Sequence, residues 1–184
     1  MRRIAACVVA CVALLPACRT KQHPPDVGVL VSQLCSGDAQ KSGEARLQLI
    51  ALGEPAVPAL SELLRSPREA DRMAAANALW GMGARGRAAV PDLVAALGDG
   101  EPPLRAAAAM ALEAMGPVAE PAVPALVRAL GDREGAVRQA AVKALGAIGP
   151  PARAALPQLT RELKRGSWPE AEEAVRRIQA GGAR

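Results

Sequence analysis

Aliphatic side chains return along this chain in paired, short amphipathic runs. Val90, Leu93, Val94 and Leu97 recur at three- and four-residue spacing, and so do Ala108, Ala111, Leu112 and Met115. That spacing keeps apolar groups on one side of a 3.6-residue turn, so each run predicts an amphipathic helix. Gly98-Asp99-Gly100 interrupts the chain between the two runs, and Gly116-Pro117 follows the second. Glycine and proline in those places stop helices, which makes the segment a helical hairpin. The same signals return elsewhere: Gly131-Asp132 between two runs, Gly83 after an earlier one and Gly149-Pro150 after a later one. The hairpin is a repeat. "AVPAL" at 56, "AVPDL" at 89, "AVPAL" at 122 and "ALPQL" at 155 place Val57, Val90, Val123 and Leu156 at steps of 33, and Val27 opens an earlier copy. Each lies 22 residues before a late aliphatic, Leu49, Leu79, Leu112, Leu145 and Ile178 taken in chain order. Internal length is therefore constant, while the link to the next copy is 8 residues once and 11 three times. The proline of the "VP" pair falls in the first helical turn, where its missing amide costs little.

Composition changes this picture in one respect. Among 184 residues there is no Phe or Tyr, and Trp occurs only at 80 and 168. A single globular core would lack bulk, whereas alanines at 106–109 and 140–141 let helix backbones approach closely. A lone hairpin cannot bury its apolar face, so the five must stack. The expected fold is an all-α solenoid of five stacked helical hairpins over residues 26–180. Its units run approximately 26–53, 54–86, 87–119, 120–152 and 153–180.

Within the units a polar pattern recurs: Pro91, Asp99 and Arg105, then Pro124, Asp132 and Arg138. Pro58, Ser66 and Arg72 keep two of the three types, while Gly28, Ser36 and Ser42 and also Pro157, Arg165 and Ala171 depart further. The pattern resembles HEAT repeats, especially the short variety named after phycobilisome lyases, with a Pro in the first helix, an Asp eight residues on and an Arg six beyond. The terminal units depart most, as caps with altered outer faces should. Arg72, Arg105 and Arg138 would align along the stack and invite reading as a phosphate track. The resemblance instead implies a structural ladder, each Arg pairing with an Asp, Asp99 or Asp132, of its own or a neighbouring unit. Partly buried pairs of that kind fix stacking register more than they add net stability.

The amino-terminal stretch has a different pattern. Met1-Arg2-Arg3 precedes an uncharged, mostly apolar run from Ile4 to Ala17. At 14 residues the run falls short of the ~20 needed to span a bilayer, and its basic start marks an export signal. Leu15-Pro16-Ala17-Cys18 resembles the lipobox of bacterial lipoproteins at three positions, with Pro16 unusual. The resemblance implies cleavage of residues 1–17, lipidation of Cys18, and a membrane contact through that lipid anchor. It places the protein in the bacterial cell envelope facing the periplasm, and Arg19 in place of an Asp favours the outer membrane. A plain secretory signal or an uncleaved leader is the alternative. Residues 18–25, polar and ending in Pro24-Pro25, read as an extended tether, and 181–184 as a disordered tail.

Losing Arg2 and Arg3 lowers the basic count from 23 to 21 against 18 acidic residues, so the formal charge falls from +5 to +3. An exported chain meets no chromosome, so nucleic acid is not an expected partner. Cys7 and Cys11 leave with the signal and Cys18 is lipidated, which leaves Cys35 alone. It is either a small apolar residue on a helix or a reactive, dimer-linking thiol.

Candidate chemistry is sparse. The one histidine, His23, lies in the tether, so no Ser-His-Asp set or His-rich metal site is available, and no Gly-rich loop follows a strand. The expectation is a non-enzyme, with no cofactor and no metal. Glu172-Glu173 reads as a solvated helix face. Among proteins built of such repeats, phycobilisome lyases attach bilins to cysteines in the cytoplasm, and deoxyhypusine hydroxylase binds iron through His-Glu pairs, which this sequence lacks. What remains is recognition. The resemblance puts the second helices on the concave side, where Met73, Asn77, Trp80, Met110, Glu113, Lys143 and Arg176 differ from unit to unit. These are the candidate partner-binding residues of a monomeric scaffold for a protein partner. Trp80 either anchors that partner or fills space against the shorter link. Lys164, Arg165, Arg176, Arg177 and Arg184 make a basic carboxy-terminal end, a solvated cap or a contact for anionic lipid. The alternatives are a lyase-like enzyme or enzyme accessory, and a purely structural envelope protein.

Overall fold

The computed structural model describes residues 26–165 and 168–180, without the Arg165 side chain. The expected signal, Cys18, the tether and the 181–184 tail lie outside the described residues. Ten helices follow in order: α1 (Val27–Leu34), α2 (Ala39–Leu52), α3 (Val57–Leu63), α4 (Glu69–Met82), α5 (Val90–Ala96), α6 (Pro102–Met115), α7 (Val123–Ala129), α8 (Gly135–Ile148), α9 (Leu156–Arg165) and α10 (Pro169–Ala180). Each odd helix and the even helix after it form one hairpin, giving an all-α solenoid.

Local chemistry sets these limits. Pro58, Pro91 and Pro124 sit in the first turns of α3, α5 and α7, where no intrahelical amide bond is lost. Gly53, Gly83, Gly116 and Gly149 cap the ends of α2, α4, α6 and α8 with φ between 54° and 72°, a conformation that costs other residues a Cβ clash. After three of these glycines the chain continues as 3-10 turns, Gly83–Ala89, Gly116–Ala122 and Pro150–Ala155. After Gly53 only Glu54–Ala56 intervenes, which is the shortened link seen in the repeat.

The repeat's marker residues form the core. Leu49, Leu79, Leu112, Leu145 and Ile178 are fully buried, as are Leu60, Leu93, Leu126 and Leu159 of the odd helices, and one continuous cluster joins all units. Each such side chain contributes roughly 1.5–3 kcal/mol by leaving water. Even helices pack directly on one another from α2 to α10, whereas α3, α5 and α7 meet the following hairpin mainly through the 3-10 turns that lead into it. Small residues make the direct contact possible: a Cβ on Gly81 would collide with Ile50, and one on Gly146 would stand 3.0 Å from Ala174.

Candidate functional site

Two features run the length of the stack, a polar ladder along the intra-unit turns and a face formed by the even helices. In the ladder, the residue closing each odd helix's turn first caps its own chain. Ser36, Ser66, Asp99 and Asp132 each accept a hydrogen bond from the backbone N–H two residues on, at 3.4, 3.2, 2.9 and 2.9 Å, the local turn such side chains favour. Each Arg then holds the same turn from the even helix. Nη1 of Arg105 donates to the Asp99 and Gly100 carbonyls at 2.9 and 3.1 Å, and Arg72 and Arg138 do the same in their units. The remaining edge of the guanidinium crosses to the following unit. Arg105 meets both carboxylate oxygens of Asp132, at 2.8 Å through Nε and 2.9 Å through Nη2. Arg72 reaches Asp99 less squarely, with Nη2 3.3 Å from Oδ1 and Nε 3.2 Å from Oδ2 but not aligned to donate. The Arg105 hydrogen bond holds the Asp132 carboxyl below the usual carboxylate range against the opposing effect of burial, and Asp132 in turn raises Arg105.

Both ends of the ladder change chemistry. Arg138 has Arg165 where an Asp would stand, and its guanidinium lies over the Trp168 ring, 5.8 Å from the centroid. Between units one and two, Ser42 occupies the Arg position, and buried Asp71 gathers the contacts instead. Ser66 Oγ donates to it at 2.9 Å and Arg68 at 2.7 Å, with Cys35 as a third hydrogen-bond partner. Burial pushes Asp71 up, but these hydrogen bonds outweigh it and hold the group low. Cys35 is neither deeply buried nor within a helix; it follows the last turn of α1 and is half-buried. Burial, then its bond to Asp71, raises the thiol above its ordinary value, so Cys35 stays protonated and a poor nucleophile.

The even-helix face carries every candidate partner residue. One row along it is Leu47, Asn77, Met110, Lys143 and Arg176, all exposed. A second row is Ile50, Trp80, Glu113, Gly146 and Gln179. Trp80 is 49% exposed, so it is a surface residue, while Met73 packs partly against the core. The face divides along its length. Over α2, α4 and α6 its large exposed side chains are apolar, with Leu47 at 63% and Met110 at 43%, and exposed Asn77 stands in the same row. Over α8 and α10 they are charged or polar. There a groove of about 460 Å³ opens, lined by Glu113, Lys143, Gly146, Glu170, Glu173 and Arg177 among others. It opens because Gly146 stands at the repeat position that Trp80 fills two units earlier. Glu173 accepts from Arg177 at 2.8 Å and Arg176 at 3.2 Å, which hold its carboxyl low. Glu170 is likewise held low, by a backbone N–H and then by Gln139 at 2.9 Å. Arg176 lies beside the groove rather than in it, and Glu172 is exposed.

Leu47, Gly146, Glu170, Glu173 and Arg177 were not among the sequence candidates for this face. Leu47 is displaced by the 30-residue first step, and Gly146 emerges only when the column Trp80, Glu113, Gly146 is read downwards. Among the described residues no group of three or more His, Cys, Asp or Glu is arranged to hold a metal, and no helix is long and apolar enough to cross a membrane.

A family model described as HEAT repeats matches residues 57–121 and 90–178. No curated protein matches the chain. Among solved structures, the complex of CpcE and CpcF of phycocyanin lyase from Nostoc sp. PCC7120 is similar at 20% identity and a TM-score of 0.66, covering 83% of this chain and 97% of that one. A designed armadillo repeat protein in complex with the peptide (KR)4 is similar at 20% identity and 0.64, covering 84% and 81%. An engineered protein is similar at 24% identity and 0.59, covering 84% and 80%. These likenesses give the fold alone, an armadillo-like helical solenoid. With the repeat, the ladder and the family match in agreement, the chain belongs to the HEAT-repeat family.

Proposed function

We propose that this protein is a non-catalytic scaffold, lipid-anchored through Cys18 in the bacterial cell envelope and facing the periplasm, that binds a protein partner on its even-helix face. The observation that carries the binding role is the cluster of exposed apolar side chains on one face, Leu47, Trp80 and Met110. Large apolar groups, Trp and Met among them, are what interfaces use as anchors. The neighbour solved with a bound peptide supports the same use of the fold. The anchor rests on the lipobox-like residues before Cys18, and Arg19 favours the outer membrane.

The test has two parts. Intact-mass measurement of the membrane fraction should give the chain from Cys18 plus acyl groups, lost in Cys18→Ala; an unmodified chain retaining Met1 defeats the anchor. A photo-crosslinking amino acid at position 80 should trap a discrete partner that the same group at exposed Thr160 on α9 does not. Equal trapping at both positions defeats the binding face.

The second reading is a lyase-like enzyme or enzyme accessory, favoured by the phycocyanin lyase neighbour. It requires turnover of a ligand that depends on Cys35 or the acidic groove. The raised thiol of Cys35 argues against its use as a nucleophile.

A further inference from the structure

Trp80 and Gly146 occupy one repeat position, and their difference splits the even-helix face into two kinds of site. Trp80, near the end of α4, is half exposed. At the α8/α10 junction, glycine leaves that space empty and charged side chains line it. Charge within the groove is unevenly satisfied. Both carboxylate oxygens of Glu173 are taken by Arg176 and Arg177. Among the described residues Glu113 has no hydrogen-bond or ion-pair partner, and Glu170 accepts from a backbone N–H and from Gln139, with the Lys143 ammonium also acting on it. Among the lining side chains three carboxylates, Glu113, Glu170 and Glu173, stand against two cations, Lys143 and Arg177, so the lining carries a net negative charge and favours a further cation although the chain as a whole is basic.

We infer that the partner presents an extended polypeptide segment, with a large apolar side chain against Trp80, Leu47 and Met110 and an arginine or lysine in the Gly146 groove between Glu113 and Glu170. This rests on the even-helix face being the binding face. Geometry fixes the spacing. Packed helices lie about 8–10 Å apart, so two repeats separate the sites by roughly 16–20 Å. An extended chain rises about 3.3 Å per residue, which puts the two side chains about five or six residues apart.

Fluorescein-labelled nonapeptides of Gly and Ser, carrying one Leu and one Arg, provide the test against the full-length protein in detergent. Fluorescence anisotropy should show the peptides spaced by five or six residues, in one chain direction, binding about fivefold more tightly than the same peptides with Asp replacing Arg. They should also outbind those with a spacing of two. Glu113→Lys should abolish or reverse the Arg preference, and Trp80→Ala should weaken Arg and Asp peptides alike. Equal or tighter binding of Asp peptides overturns the inference, as does a preference untouched by Glu113→Lys or indifferent to spacing. A helical peptide spans the same distance with Leu and Arg about twelve residues apart; tighter binding by that probe overturns the extended form. If no peptide binds, the inference falls, while the crosslink at position 80 decides the binding face independently.

Discussion

At the centre of the stack, Arg105 and Asp132 join two units by a charge pair whose side chains are only 15% and 13% exposed. Between units one and two, the same gap is closed by Ser66, Arg68 and Asp71, all from one unit, with Cys35 reached across the junction. In the centre the balancing charges come from different units, so separating the units separates the charges. At the amino-terminal junction Asp71 is neutralised by Arg68 of its own unit, and the links to unit one are hydrogen bonds, including Arg68 Nη2 to the Cys35 carbonyl at 3.2 Å. Continuous charge pairing therefore belongs to the middle of the solenoid, and its first unit is held by packing and by hydrogen bonds rather than by a charge pair across the junction.

Asp132→Ala should have the largest effect. It strips Arg105 of both its bonds across the junction and removes the acceptor for the Glu134 amide, so a loss of about 2–3 kcal/mol is expected in urea unfolding. A loss under ~0.5 kcal/mol would mean the two junctions do not differ in kind. Asp71→Ala should cost less and act locally: hydrogen exchange should quicken in α1 and α2 and stay unchanged in α6 and α8. Spread of that effect through the whole chain would erase the distinction between end and centre.

Acid should produce the smallest and most gradual change. Asp132 and Asp71 both have folded pKa values lowered below the unfolded one, so their stabilisation is complete above the ordinary carboxylate value of about 4. It is lost as pH falls through the lowered folded values. Urea midpoints should hold steady from pH 7 to 5 and drop below 4, with a shallower drop in Asp132→Asn. A drop already under way at pH 6 would point to groups other than these carboxylates.

The helical hairpins were legible in the sequence because their causes are short-range. A proline in a first turn and a glycine at a helix end act over a few residues, and a 33-residue step can be counted. The ladder's residue types were equally plain, but which Asp an Arg would reach was not. Arg72 and Asp99 are 27 residues apart, and only packing of successive turns selects the following unit over the Arg's own. Trp80 had two readings from sequence alone, since neither its neighbours nor its period reports exposure. Gly146 was the least legible residue: a glycine inside a helix reads as a local weakness, and its effect appears only with Ala174 of α10 set against it.

The absence of tyrosine gives the two tryptophans a use beyond packing and contact. All near-ultraviolet emission from the aromatic side chains comes from Trp80 and Trp168, one half in water on the even-helix face, the other beneath an arginine at the ladder's end. The molecule is thus its own two-channel optical gauge. A blue shift that spares the Trp168 signal reports an occupant arriving at Trp80, and a change in Trp168 alone reports the last hairpin loosening from the stack.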